Sequence, residues 1–253
     1  MKAHARGDEL QSEKMKLIFL GTRGNIDIKS RLHRRHTSML VAHRRDRVMI
    51  DCGADWLHHV SDVHPTAIVL THAHNDHVDG LKRGSPCVVY APSDVWKQIG
   101  KWPVEQRRIV RPYRPFRCGT VTFEAVPVGH SLRAPAVGYR IAHGRSRIFY
   151  VPDVLEIPRR MKALVDVRLY IGDGAVLRRP IQRRVGDACV GHASVRDQVD
   201  WCARAGVRRA IFTHCGTAIV SNDDDAERAI ESFGRSSGVA TSLAYDGLEI
   251  RIP

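Results

Sequence analysis

The stretch His72-Ala73-His74-Asn75-Asp76-His77 constrains this chain more than any other. Three imidazoles and a carboxylate fall within six residues, directly after the apolar run Ala67-Ile68-Val69-Leu70. Packing alone has no use for that composition. Imidazole and carboxylate are donors that suit a divalent ion, and zinc takes both in catalytic sites. In an extended segment residues two apart face the same way, so His72 and His74 aim at one point. Asp76 and His77 stand where the chain turns toward a helix, and they reach a second point nearby. The segment predicts a metal-ligating loop at a strand end, with donors enough for two ions.

The rest of the chain must build a scaffold for that loop. Its 253 residues suit one large domain or two small ones and are ample for a buried core. Hydrophobic residues make up 43% and charged residues 26%, an ordinary globular balance. No apolar run approaches the roughly 20 residues of a membrane span. Met1 to Lys14 is polar and mixed in charge, without the apolar core of a signal peptide. We expect residues 1–14 to be a disordered extension, 15–253 to form a single domain, and the protein to be cytoplasmic. The six cysteines contain no Cys-x-x-Cys pair, which fits a reducing compartment and speaks against a structural zinc knuckle.

Lys plus Arg is 40 against 27 acidic residues, a net charge of +13. Arginine carries most of it, in runs around 31–47, 107–117 and 178–184. Such a field attracts anions, phosphates above all. The same arginines would also suit the solvated surface of an arginine-rich proteome.

Short β-like runs recur from 16–20 to 248–252, and helical patterns fall at 93–99, 158–164, 194–205 and 223–233. Val195, Val199 and Cys202 repeat at helical spacing, with Ser194 as the cap. Asn222 precedes the acidic turn Asp223 to Asp225, which suits a helix N-terminus. Strands dominate both halves. This predicts two β-sheets stacked face to face with helices outside. The Arg-rich segment 104–117 reads as an irregular crossing or loop.

Four more candidates stand at strand ends, where loops carry chemistry on a rigid scaffold. His130 follows the strand Val121 to Val126, Asp153 follows Phe149-Tyr150-Val151, and His214 follows Ile211-Phe212-Thr213. His192 stands just before a helix. Asp51-Cys52-Gly53 reads as a buried turn that supports the metal loop.

These residues resemble the signature of the metallo-β-lactamase superfamily. His-x-His-x-Asp-His is carried as His72, His74, Asp76 and His77, and His130, Asp153 and His214 match the remaining ligands in order. The resemblance covers 15–253 and implies an α/β (α+β) fold, the four-layer αββα sandwich. It implies that His72, His74 and His130 hold one ion, that Asp76, His77 and His214 hold a second, and that Asp153 bridges them. Within the superfamily the chain is most similar to the ribonuclease Z and cyclic-phosphate phosphodiesterase branch. Leu20-Gly21-Thr22-Arg23-Gly24, Val137-Gly138-Tyr139-Arg140 and Tyr245-Asp246-Gly247-Leu248-Glu249-Ile250 carry that likeness. The bridging Asp153 disfavours class B β-lactamases, which use cysteine there. Two departures stand out. The phosphonate-pathway phosphodiesterase has an extra cysteine-based zinc site after its first strand, and Asn25 to His36 contains no cysteine. Ribonuclease Z has a long arm for transfer RNA, and no insert of that kind is evident.

The resemblance further implies a dinuclear hydrolase, with zinc the expected metal and manganese the alternative. A hydroxide shared by the two ions would attack phosphorus, with Asp76 as ligand and orienting group. His192 would protonate the leaving alkoxide. His33, Arg34, Arg35 and His36 are candidates to line the pocket mouth and contact a phosphate. The expected substrate is a cyclic phosphate, a small phosphodiester or a nucleic acid, the expected assembly a homodimer. Lactone or thioester hydrolysis on the same centre is the alternative reading.

Overall fold

The computed structural model describes residues 14–252, so all but Lys14 of the expected N-terminal extension lies outside the described residues. Sixteen strands form two seven-stranded sheets and a separate hairpin. The first sheet contains β1 (Met15–Gly21), β2 (Ser38–His43), β3 (Asp46–Ile50), β4 (Ala67–Val69), β5 (Val88–Pro92), β6 (Arg107–Val110) and, on the outside of β1, the last strand β16 (Glu249–Ile252). The second contains β7 (Phe116–Cys118), β8 (Val121–Val128), β9 (Ala136–His143), β10 (Ser146–Tyr150), β11 (Leu169–Asp173), β14 (Arg209–Thr213) and β15 (Ala240–Leu243). The hairpin pairs β12 (Ile181–Val185) with β13 (Ala188–His192). Each sheet begins as an antiparallel meander and continues as parallel strands, through β3-β4-β5-β6 in one and β10-β11-β14-β15 in the other.

Side-chain alternation builds the layers. Along β3, Val48 and Ile50 point into the core between the sheets, while Met49 points outward. Along β10, Ile148 and Tyr150 enter that same core, and Phe149 faces the other way. Residues on a strand alternate faces, so a strand buried on both faces reads as continuous apolar sequence. Ala67-Ile68-Val69-Leu70 is such a run, and all four residues are buried.

Helices close both outer faces. Outside the first sheet lie α1 (Asn75–Val78) and α2 (Ser93–Ile99), which contribute Val78, Val95 and Ile99 alongside Trp56. Outside the second lie α3 (Arg160–Ala163), α4 (Val195–Arg204), α5 (Thr217–Val220) and α6 (Asp223–Ser237). Each large apolar side chain so buried contributes about 1.5–3 kcal/mol. The result is the αββα arrangement expected from the sequence. Both expected caps are present: Ser194 Oγ accepts from the Asp197 amide at 3.1 Å, and Asn222 Oδ1 accepts from the Asp225 amide at 3.2 Å. No helix among the described residues is long and apolar enough to cross a membrane.

One expectation needs correction. Segment 104–117 is not wholly an irregular crossing or loop, since it contains β6 and the start of β7, which form the open edges of the two sheets. Arginines suit an edge strand, because a charged edge resists further pairing, and they hide the strand pattern. Nor did apolar alternation announce β12, because all five of its residues are exposed.

Candidate metal centre

The topology brings one set of strand ends together. β10, β11 and β14 run parallel, and β8 runs the same way as β10 because both are antiparallel to β9. The C-terminal ends of β8, β10, β11 and β14, with the residues just after them, therefore lie at one edge of the second sheet and carry His130, Asp153, Asp173 and His214. The loop after β4 supplies His72 to His77 from the first sheet.

Seven side chains converge there. His72 Nε2 and His74 Nδ1 lie 3.0 Å apart, and His130 Nε2 lies 3.3 Å from that same His74 atom. His214 Nε2 is 3.2 Å from Asp76 Oδ2, and His77 Nε2 is 3.3 Å from it. Asp153 touches both groups. Its Oδ2 is 3.0 Å from His77 Nε2, and its Oδ1 is 3.3 Å from His214 Nε2 and 3.5 Å from His130 Nε2. The sets His72-His74-His130 and Asp76-His77-His214 each present donor atoms within 4.8 Å of one another, so each could hold a metal ion.

An outer ring of hydrogen bonds aims these donors. His77 Nδ1 donates to Asp51 Oδ2 at 2.8 Å. Thr71 Oγ1 donates to that same oxygen at 2.8 Å and accepts from His72 Nδ1 at 2.9 Å. Asp51 thus orients one histidine directly and another through a hydroxyl. His130 Nδ1 donates to the Gly191 carbonyl at 3.0 Å. With Nδ1 occupied as donor, Nε2 keeps the lone pair a metal needs. Gly53 matters for a different reason: a Cβ there would fall 1.9 Å from the Asp76 carbonyl oxygen. Only glycine lets the Asp51 turn press against the metal loop.

The donors fit a cation. Among the described residues nine buried side-chain polar atoms lack a hydrogen-bond partner, and four of them are Asp76 Oδ1, His77 Nε2, Asp153 Oδ2 and His214 Nδ1. Buried polar atoms without partners are rare, and these four lie in the two donor groups or beside them. The electrostatics agree. Burial alone would lower the His214 imidazole, yet Asp153, Asp173 and Asp76 outweigh it and hold it up at about 10. Burial likewise opposes the shift of His77, which Asp76, Asp153 and Asp51 push well above the usual range. The carboxylates call for positive charge at their centre, and a divalent ion would supply it. His74, by contrast, is held down at about 4 by burial and by His130, so it stays neutral and able to ligate.

His192 closes the site on one side. Its ring centroid is 4.8 Å from that of His130 and 5.6 Å from that of His214, and its side chain is 20% exposed. Its Nδ1 lies 2.7 Å from Asp173 Oδ2. Asp173 escaped the sequence reading, although Gly172-Asp173-Gly174 ends a strand with a carboxylate as Asp153 does.

The four residues expected at the pocket mouth separate. His33 is fully buried: its Nδ1 donates to Thr22 Oγ1 at 2.7 Å and its Nε2 lies 3.1 Å from Asp223 Oδ1. It ties the loop after β1 to α6 and cannot line an opening. His36 wedges between Arg23 Nη2 and Asp55 Oδ2, each at 3.0 Å. Arg34 and Arg35 are exposed and line a surface groove with Lys29 and Arg31. Gly24, on the same loop, packs against His214: an added Cβ would lie 3.1 Å from its Cε1.

Residues 46–215 match the beta-lactamase superfamily domain, and they contain all seven converging side chains. The chain belongs to the beta-lactamase superfamily. Its fold agrees with solved members. It superposes with a TM-score of 0.73 on the metallo-β-lactamase fold protein YhfI from Bacillus subtilis, at 15% identity over 94% of this chain and 100% of that one. A diphosphatase of the PhnP family superposes at 0.69, with 21% identity over 94% and 98%. Among curated relatives, ribonuclease Z of Mycobacterium marinum is 30% identical over 119 residues, 44% of this chain and 40% of that protein. The match thus spans less than half of that relative. Ribonuclease Z of Methanopyrus kandleri is 27% identical over 280 residues, 92% of this chain and 96% of that protein. These likenesses fit the branch suggested by the sequence motifs.

Proposed function

We propose that this protein is a metal-dependent hydrolase that cleaves phosphodiesters at a two-ion centre. The observation that carries the reading is Asp153, whose two oxygens face donors from both ligand groups. His72, His74 and His130 would hold one ion, and Asp76, His77 and His214 the other, with Asp153 shared. The relatives named ribonuclease Z and the PhnP-family diphosphatase both act on phosphate esters or anhydrides, and the net charge of +13 suits an anionic substrate. The imidazole-rich donor set favours zinc, with manganese able to substitute.

When bound, the ions would bring water near neutral acidity and offset charge building on the phosphoryl group. The chain's own residues do the rest. Asp51, through His77 and Thr71, keeps the donors of the first sheet aimed inward. His192 stands beside the centre as the proton donor. Burial lowers its imidazole, but Asp173 outweighs that and raises it above the ordinary value, which favours the protonated ring. With Nδ1–H held by Asp173, Nε2–H is the proton available to a leaving alkoxide.

Metal analysis followed by a substrate panel tests the reading. The metal-loaded protein should turn over bis-p-nitrophenyl phosphate and a 2′,3′-cyclic nucleotide, and leave a homoserine lactone intact. Lactone turnover without diester turnover would replace this reading with a carboxylic-ester one.

A further inference from the structure

Two more histidines meet at the edge of the sandwich opposite the candidate centre. His43 ends β2 and pairs with Asp46, the first residue of β3, and β3 runs parallel to β4 toward the metal loop. His143 ends β9, which runs against β8 and β10. One ring therefore comes from each sheet. Their centroids lie 4.0 Å apart at an interplanar angle of 44°. His43 is buried and His143 is half-buried, so the pair borders solvent on the His143 side.

One residue, Thr120 in the turn between β7 and β8, holds both rings. The Asp46 carboxylate accepts from the Thr120 amide at 2.7 Å and from Thr120 Oγ1 at 2.6 Å. The hydroxyl thus directs its one proton at Asp46. Thr120 Oγ1 must then accept from His43 Nδ1, at 2.7 Å. The Thr120 carbonyl can only accept, so His143 Nδ1 donates to it at 3.3 Å. Both rings carry the proton on Nδ1 and the lone pair on Nε2. Since both Nδ1 atoms face Thr120, both Nε2 atoms turn away from it, to the same side.

The candidate centre aims its ligands by the same means. There Thr71 Oγ1 donates to Asp51 and accepts from His72 Nδ1, and the Gly191 carbonyl holds His130 Nδ1. His72 and His77 match the ring spacing as well, at 4.2 Å and 43°, and their donor atoms lie within 4.8 Å of each other. Two nitrogens on one zinc at about 2.1 Å stand about 3.4 Å apart at the tetrahedral angle. Rings 4.0 Å apart reach that spacing with a small tilt.

We propose that His43 and His143 bind a divalent transition ion such as zinc through their Nε2 atoms, as a clip between the two sheets and apart from the candidate centre. Imidazole suits zinc, copper and nickel alike. Thr120 and Asp46 are positioning residues, and the ionised Asp46 lends negative charge beside the site. Water fills the remaining coordination positions. With two protein donors against the larger sets of the centre, this ion is the last to bind and the first to leave.

The test counts zinc bound per chain by equilibrium dialysis across a series of free zinc concentrations. Wild type is compared with His143→Asn, which keeps a donor for the Thr120 carbonyl and removes the ring nitrogen. His59→Asn, at an exposed histidine outside the pair, is the control. At high free zinc, wild type and the control should each hold one ion more per chain than His143→Asn. His43→Asn should lose the same ion, and it stands in if His143→Asn does not fold. Thr120→Val should weaken the last ion about 10–100-fold, the usual cost of a ligand losing its hydrogen-bond partner. Turnover of bis-p-nitrophenyl phosphate should be equal in wild type and His143→Asn. Equal zinc counts would overturn the clip. A lower count with lost turnover would overturn it too, because the missing ion would then come from the centre. So would an extra ion that appears only with a zinc-dependent dimer in sedimentation, since it would lie between two copies. The clip does not rest on the hydrolase reading: a one-ion difference in a protein that turns over no diester would sink that reading and leave the clip standing.

Discussion

Asp173 Oδ2 accepts a hydrogen bond from His192 Nδ1 at 2.7 Å and another from the Val154 amide at 2.9 Å. One buried carboxylate therefore sets the tautomer of the proposed proton donor and anchors the backbone next to Asp153. Asp173→Asn should keep the fold and lower kcat about 10–100-fold, the usual cost of losing such a partner. Asp173 raises the imidazole of His192 against the pull of burial. An acid with a lowered pKa loses its proton sooner as pH rises, so the alkaline limb of the rate profile should move to lower pH. His192→Ala should lose the limb, and the double variant should be little worse than His192→Ala. Additive losses would mean that Asp173 acts elsewhere.

Asp51 supports two ligands without being one. Asp51→Ala removes the partner of His77 and frees Thr71 from its role toward His72. Zinc affinity should fall about 10–100-fold. Thr71→Val should cost less, since only the His72 arm is lost. Competition with a chromophoric chelator measures both. Equal affinity in wild type and Asp51→Ala would leave the carboxylate a purely structural role.

Metal should stabilise the fold through Asp153. A ligand at 100 times its dissociation constant adds about 2.7 kcal/mol to a protein that binds it only when folded. Zinc should therefore raise the melting temperature of wild type clearly, and that of Asp153→Ala far less. Calorimetry with and without a chelator separates the cases, and an identical rise would place the metal away from Asp153.

His36 predicts a pH effect away from the centre. Burial, and then Arg23, hold its imidazole down at about 4. Arg23 Nη2 points at Nε2, which must stay unprotonated to accept that bond. The unfolded ring titrates near 6.5. Between about 4 and 6.5 the unfolded chain binds the extra proton, so His36 contributes stability that is present above 6.5 and lost as pH falls through that window. In urea unfolding, His36→Gln should lose less stability than wild type between pH 7 and pH 5. Parallel curves would remove the effect.

Gly53→Ala tests the seam between the Asp51 turn and the metal loop. The new methyl would meet the Asp76 carbonyl and displace backbone that carries a ligand. The expected cost is about 1–3 kcal/mol, the range for overpacking, together with weakened zinc binding. Unchanged melting and zinc affinity would show that the seam can open freely.

The sandwich and the convergence of seven side chains were legible because they rest on local signals. The loop His72 to His77 is contiguous, and His130, Asp153 and His214 each end an apolar strand. The Ser194 and Asn222 caps were readable for the same reason. His33 was misread because its burial depends on Thr22, Asp223 and Asp246, and the last two lie about two hundred residues away. Asp173 was missed because its strand runs two residues further than its apolar pattern. The hairpin was missed because exposed strands carry no alternation to read.

The two sheets share the centre unequally. His72, His74, Asp76 and His77 arrive in one loop of the first sheet, whereas His130, Asp153 and His214 come from three separate strand ends of the second. Neither half of the chain owns a complete donor set. If the chain were divided between β6 and β7, each fragment would carry orphaned donors and no centre, and zinc uptake would become a direct gauge of whether the fragments had reunited.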